Sequence, residues 1–325
     1  MIITRSPLRI SLGGGGTDLP SYYEENEGFL LTAAINKFVY LTLHENFQDE
    51  IWVKYSKIEK VSDINDMKHP IFRESIKMLG LEKQWIEIQS MADIPAGTGL
   101  GSSSSFTTAL LRCLHEYKGE LVTTEQIARE ACEIEMGRLK EPIGKQDQYI
   151  AAYGGIRAMW FRKDGTVDVE SVEMSKDTFY NLEDNLVLYF TGFERSASQI
   201  LKEQDDKTKA SDNDMKSNLD QVKQMGLDTK AAFEAGDLHK FADIMNHHWE
   251  IKKKRSGHMS NPDIDEWYEH ALKNGAMGGK LIGAGGGGFL MFYSEDKVKL
   301  REAMHGTGLK EVRFRFENQG TRLVY

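Results

Sequence analysis

Apolar and polar positions alternate in Phe38 to Leu43, Ile51 to Tyr55 and Trp85 to Ile88, and a period of two marks half-buried strands. A helical period takes over in Ile71 to Leu79. It is clearer in Phe106 to Tyr117, where Phe106, Leu110, Cys113, Leu114 and Tyr117 share one face. Thr124 is a suitable cap for a further helix through Ile127, Ala128, Ala131 and Ile134 to about Leu139. A short helix after Asp147 ends at Gly154-Gly155, and two strands flank the turn at Asp164-Gly165. The pattern restarts at Leu186 with a strand to Phe190, followed by long charged helices between Ser196 and Asn274. Strand, glycine loop and strand follow (Leu281 to Gly283, Phe289 to Tyr293), then a helix and a last alternating strand through Val312, Phe314 and Phe316. Both halves mix strands and helices without regular βαβ alternation, so the expected class is α+β. The polar stretch Ser175 to Asp184 puts the expected boundary near residue 182, giving domains of 1–182 and 183–325.

Composition narrows the partners. With 325 residues, 40% of them hydrophobic and 28% charged, the chain has enough surface to bury a core of ordinary globular kind. A net charge of −9 argues against nucleic acid or an anionic membrane as the main partner. No apolar run approaches membrane-spanning length, and Met1 to Leu12 has no apolar segment of secretory type. Cys113 and Cys132 fall inside expected helices as small buried hydrophobes, which fits a reducing cytoplasm. The oligomeric state stays open, a homodimer included.

Glycine is the outlier, and it is clustered. The first loop is Pro7-Leu-Arg9-Ile-Ser-Leu-Gly13-Gly14-Gly15-Gly16-Thr17-Asp18; the second is Pro95-Ala-Gly97-Thr-Gly99-Leu100-Gly101-Ser102-Ser103-Ser104-Ser105; the third is Gly283-Ala-Gly285-Gly286-Gly287-Gly288. A dinucleotide-binding glycine motif needs a helix directly after it. The third loop is followed instead by Phe289 to Tyr293, an apolar run that reads as the second strand of a hairpin. A nucleotide P-loop is absent, because no Gly-x-x-x-x-Gly-Lys-Ser/Thr occurs. The second loop runs from a strand into an amphipathic helix. That context gathers free N–H groups at the positive end of a helix dipole, where phosphate binds. A capped helix after a flexible turn is the plainer alternative. The first loop is a strand end and tight turn, bracketed by Arg9 and Asp18, groups that phosphoryl transfer can use.

Two acids stand out by position. On a helical wheel Glu135 falls in the apolar stripe of the Thr124 helix while Glu133 faces the other way, and an inward carboxylate needs a partner or a metal. An ion pair, or a stripe edge exposed at the helix end, is the plainer alternative. Asp147 follows the helix break at Pro142-Ile-Gly144, a place where Asp is ordinarily an N-cap. The run Lys252-Lys253-Lys254-Arg255 closes a helix starting near Asp237, where solvation and the helix dipole explain most of it. If the substrate carries a phosphate, Lys252, Lys253, Arg255 and Arg195 are the candidates to receive it. His247-His248 has no metal-site spacing and reads as surface or core histidine.

The three loops, in this order and spacing, resemble the motifs of the GHMP kinase superfamily. Pro95-x-x-x-Gly99-Leu100-Gly101-Ser102-Ser103 is the most specific match, and the likeness runs from Arg9 to Phe289. Ser6 to Asp18 and Gly144-Lys-Gln-Asp147-Gln-Tyr149 are most similar to bacterial D-glycero-D-manno-heptose 7-phosphate kinases. The resemblance implies an N-terminal domain like domain 2 of ribosomal protein S5, a C-terminal ferredoxin-like domain and a site between them. It implies an ATP-dependent kinase that uses Mg2+ and phosphorylates the anomeric hydroxyl of a sugar phosphate. An unphosphorylated sugar such as fucose or galactose, or a sensor without catalysis, are the alternatives. By the same resemblance Asp147 takes or orients the hydroxyl proton and Arg9 stabilises charge. Gly97, Gly99, Leu100, Gly101, Ser102, Ser103 and Ser104 cradle the ATP phosphates, and Glu135 with Ser102 or Ser103 holds the metal. Gly15, Gly16, Thr17 and Asp18, with Gly286 and Gly287, face the substrate. An isolated Asp has a pKa of about 3.9, too low for a strong base, so Asp147 would act by positioning and late proton acceptance.

Overall fold

The computed structural model describes the chain except for residues 194–196, 210–212, 258 and 284 and the side chains of 197–201. From the N-terminus come β1 (Ile2–Gly14), α1 (Pro20–Asn26), β2 (Gly28–Glu45), β3 (Ile51–Lys54), β4 (Ile58–Val61), α2 (Pro70–Met78) and β5 (Ile86–Ala92). Next are α3 (Ser102–Lys118), α4 (Thr124–Cys132), α5 (Gln146–Tyr153), β6 (Ile156–Phe161), β7 (Val167–Ser171) and α6 (Lys176–Asn185). Then follow β8 (Leu186–Phe190), α7 (Ala197–Lys209), α8 (Asn213–Ala235), α9 (Leu238–Lys253), α10 (Pro262–Lys273) and β9 (Gly278–Ile282). β10 (Phe289–Tyr293), α11 (Lys297–His305), β11 (Lys310–Val312) and β12 (Arg322–Leu323) complete the chain.

The larger sheet is built on two long strands. β1 pairs antiparallel with β2 from Ile2 opposite Leu43 to Gly14 opposite Leu30. The early half of β2 then takes β6 on its other edge, and the late half takes β5. The path β12-β1-β2-β5-β3-β4 carries one parallel pair, β3 with β5. β1 is covered by α3 and α8, so it is apolar or hydrogen-bonded on both faces. Leu8, Ile10 and Leu12 are fully buried, and the hydroxyls of Thr4 and Ser6 bond to Ala109 and Thr108 of α3. Because α8 comes from the later half of the chain, its packing on β1 joins the halves through one continuous apolar core.

The smaller sheet has the order β11-β8-β10-β9, every pair antiparallel. Numbered within their own half these strands run 4-1-3-2, the ferredoxin-like order, with the helices α7 to α10 inserted after the first strand. The α+β expectation therefore holds.

Three local expectations change. The cap of α4 is Thr123, whose side chain accepts from the Gln126 amide, and Thr124 is already helical. That helix is α only to Cys132 and continues as a π-helical segment, Glu133–Arg138. The expected last strand is broken: β11 stops at Val312, and Phe316 forms only an isolated bridge to Ile35 of β2. Alternation persists across that break because Phe314 and Phe316 still pack onto the core without a continuous strand partner.

Candidate active site

The second glycine loop delivers the chain into α3. Gly101, the residue before the helix, has φ +75°, and no side chain caps the helix. The first intrahelical bond is Ser105 N–H to the Gly101 carbonyl, which leaves the amides of Ser102 to Ser104 at the positive end of a 17-residue helix. A Cβ on Gly101 would lie 3.2 Å from Arg9 Cγ and 3.2 Å from Asp147 Oδ2, so glycine is needed for closeness as well as for φ. The third loop is the β9–β10 turn, and it lies against the second. A Cβ on Gly283 would come within 2.9 Å of Gly99 Cα.

Beneath these loops lies a cavity of about 320 Å³, within the range of small-molecule sites. Arg9 of β1 crosses its floor. Nε and Nη2 each donate to an oxygen of Asp147 at 2.7 Å, and Nη1 donates to the Gly99 carbonyl at 2.6 Å. Asp147 lies in the first turn of α5 and is not its cap; the residue before the helix is Lys145. Asp18 is buried and accepts from the Gly16 and Gln146 amides, at 3.2 and 3.1 Å. Burial pushes its pKa up, Asp147 nearby adds to this, and the backbone bonds oppose it.

Glu135 is 1% exposed and points from the π-helical segment at the start of α3. It accepts from Ser103 Oγ (2.6 Å), Ser104 Oγ (2.8 Å) and Gln148 Nε2 (2.6 Å). All three donors are neutral. Burial raises its pKa against those bonds, and Asp147 adds to the rise. Among the described residues no group of three or more His, Cys, Asp or Glu could cage a metal by itself. One uncompensated carboxylate beside serine hydroxyls and a phosphate cradle suits a hard cation that takes its other ligands from phosphates and water. Ser102, Ser103 and Glu135 therefore fit Mg2+.

The opposite wall is cationic. Lys252 Nζ donates to the carbonyls of Leu281 (3.2 Å) and Gly283 (2.5 Å). Arg255 donates to Asn218 Oδ1 (2.8 Å) and to the Gly15 carbonyl (3.2 Å), and lies 3.4 Å from Gln204 Oε1. Lys280 donates to the Leu12 carbonyl (2.7 Å). Among the described residues these three buried basic groups meet only neutral partners: backbone and amide oxygens and, for Lys280, His248 Nδ1. Burial depresses Lys252 far below the usual lysine range, with Arg255 and Lys280 adding to the effect. Burial likewise lowers Arg255 to about 10 and Lys280 to about 7.

The sequence-based residues are thus partly assembled. Arg9, Gly15, Gly16, Asp18, Gly97, Gly99, Gly101, Ser102 to Ser104, Asp147, Lys252, Arg255 and Gly287 line the cavity. Glu135 stands just behind Ser103. Lys253 does not join them; it faces Glu250 at 2.7 Å, on the solvated side of α9. Thr17 turns its hydroxyl to the Phe29 carbonyl, Leu100 is buried in the core, and the Gly286 amide is spent on the Met259 carbonyl. Arg195 lies outside the described residues. Sequence reasoning missed Lys280, Gln204 and the role of His248, all of which line the cavity. A lone lysine inside the otherwise apolar strand Gly278–Ile282 was the one available signal.

Two family models match the chain. Residues 70–155 match the family described as GHMP kinases N terminal domain, and residues 229–308 match GHMP kinases C terminal. The chain is 31% identical over 311 residues to D-glycero-alpha-D-manno-heptose 7-phosphate kinase of Campylobacter jejuni, covering 92% of this chain and 91% of that protein. A solved D-glycero-D-manno-heptose 1-phosphate kinase from Bacteroides thetaiotaomicron superposes with a TM-score of 0.82 at 28% identity, over 100% of this chain and 99% of the other. A putative sugar kinase from Campylobacter jejuni superposes with a TM-score of 0.79 at 27% identity, covering 99% and 97%.

Proposed function

The chain belongs to the GHMP kinase family, as a phosphotransferase with an alcohol acceptor and sugar kinases for relatives, and on that premise we propose that it phosphorylates the anomeric hydroxyl of a sugar phosphate. ATP is the proposed donor and D-glycero-D-manno-heptose 7-phosphate the proposed acceptor, giving the 1,7-bisphosphate. The observation that carries this reading is the wall of Lys252, Arg255 and Lys280, three buried basic side chains with no carboxylate among their hydrogen-bond partners in the described residues. A neutral sugar would give this basic wall no counter-charge, whereas a phosphate monoester supplies one. The names of the heptose kinases above support the same acceptor class while differing in the position of its phosphate.

The chemistry follows from the placement. The amides at the start of α3 and the glycines of the second loop receive the donor's phosphates. Glu135, Ser102 and Ser103 would hold Mg2+, which neutralises charge spread over those phosphates when bound. Asp147, fixed by its paired bonds to Arg9, orients the attacking hydroxyl. The new O–P bond forms as the bond from the terminal phosphorus to the leaving ADP oxygen breaks. The hydroxyl proton passes to the Asp147 carboxylate, and Arg9 balances the charge that builds on the phosphoryl oxygens. Asp18, held by the Gly16 and Gln146 amides, would bind a sugar hydroxyl.

ADP release measured with ATP and Mg2+ across a panel of sugars and their phosphates tests the reading. Turnover confined to phosphorylated acceptors is expected. Turnover of fucose, galactose or another free sugar alone would sink the acceptor class, and no turnover of any acceptor would favour a sensor.

A further inference from the structure

Lys280 and His248 are neighbours only because the strand β9 and the helix α9 pack together. Lys280 Nζ lies 3.3 Å from His248 Nδ1, and its bond to Leu12 ties the smaller sheet to β1 of the larger. Both side chains are nearly inaccessible to solvent, and both line the cavity. The charged groups around them are Lys252 of α9 and Arg255 just beyond its end, Arg9 and Asp18 from β1 and its loop, and Asp147 from α5. Gln204 of α7, Asn218 of α8 and Met291, opposite Lys280 on β10, are neutral. No carboxylate touches either Lys280 or His248 among the described residues.

At 3.3 Å two basic nitrogens have room for one proton between them, since His248 Nδ1 can accept from the ammonium only while it is itself unprotonated. Burial, with Lys280, Arg255 and Lys252 nearby, drives His248 well below its usual range, and burial holds Lys280 at about 7. An ammonium has three donors. Leu12 and His248 take two, and the third has no partner among the described residues.

We propose that the Lys280–His248 pair is a proton-coupled seat for the acceptor's phosphate, drawing one proton from solvent onto Lys280 Nζ as the dianion enters. The only bond formed is an N–H on Nζ, its proton leaving a solvent hydronium or water; the ammonium so formed donates to His248, Leu12 and a phosphate oxygen. The pair thereby selects phosphorylated over unphosphorylated sugars. This deepens the acceptor proposed above and rests on it for the identity of the ligand only.

Inorganic sulfate is a suitable probe, because it is a dianion that neither gains nor loses protons near neutrality. In weakly buffered enzyme near pH 8, where Lys280 is mostly uncharged, sulfate binding should raise the pH as the protein takes up close to one proton per sulfate. Lys280→Arg, charged throughout, should bind sulfate with no such uptake. Lys280→Met should lose the uptake and raise the KM for heptose 7-phosphate about ten- to a hundredfold, with kcat changed far less. Should Lys280→Met fail to fold, the arginine variant decides alone. Absence of sulfate binding, binding without uptake in the wild type, or equal uptake in Lys280→Arg would overturn the proposal. If uptake behaves as expected while only free sugars are phosphorylated, the anion seat stands and the acceptor proposal falls.

Discussion

Asp147 meets Arg9 through two parallel bonds, a geometry that fixes the carboxylate in direction as well as position. An asparagine in its place would keep the shape, lose the negative charge and present an amide N–H to a guanidinium that can only donate. Asp147→Asn should therefore lower kcat by about 10²–10⁴-fold while nucleotide affinity, measured by titration, stays near the wild type. Unchanged turnover would remove Asp147 from the chemistry. Glu135 makes a different prediction, since its bonds all come from neutral donors. Glu135→Gln relieves the burial of charge and removes the anionic ligand proposed for the metal. The variant should fold normally yet need roughly 10–100-fold more Mg2+ for half-maximal rate. An unaltered Mg2+ dependence would mean the metal is held elsewhere.

The element that organises the site is α3 with the loop before it. Gly101→Ala places a Cβ at φ +75° and 3.2 Å from both Arg9 and Asp147, so it should cost about 1–3 kcal/mol in denaturant unfolding. Its effect on kcat should be larger still, because the clash falls on the Arg9–Asp147 pair; a loss of stability with normal kcat would contradict this. This element was legible in the sequence because its signals are local: helical period from Phe106, glycine before it, serines at its start. Glu135 was legible for the same reason, as a charge on an apolar face. The π-helical turn that carries it was not, because a change of hydrogen-bond register leaves the residue pattern intact. The cationic wall was read only in part. Lys252 and Arg255 sit in a basic run, but nothing local separates them from Lys253, which one helical step turns to solvent. Lys280 is basic only against its strand, and its importance depends on Leu12 and His248, distant in sequence.

At the scale of the molecule an acidic protein encloses a cationic cavity where two sheets meet, and the enclosed charges leave a mark on stability. Between about pH 7 and the ordinary lysine value of 10.5, the folded state holds fewer protons at Lys280 than the unfolded chain. Stability of the ligand-free enzyme should accordingly rise with pH through that window, and Lys252 acts in the same sense. Asp18 and Glu135 have the opposite sign, their contribution falling as pH rises from about 4 through their raised values. Melting curves from about pH 7 to 8.5 check this: the gain in Tm should shrink in Lys280→Met, and equal gains would show that Lys280 is not the source. The proposed activity itself is tested most directly by phosphorus NMR of the product formed from ATP, Mg2+ and D-glycero-D-manno-heptose 7-phosphate. The account predicts a second phosphate resonance coupled to the anomeric proton, with the original phosphate retained. A product phosphorylated at any other oxygen, or no product from the phosphorylated heptose while the free sugar is consumed, would contradict it.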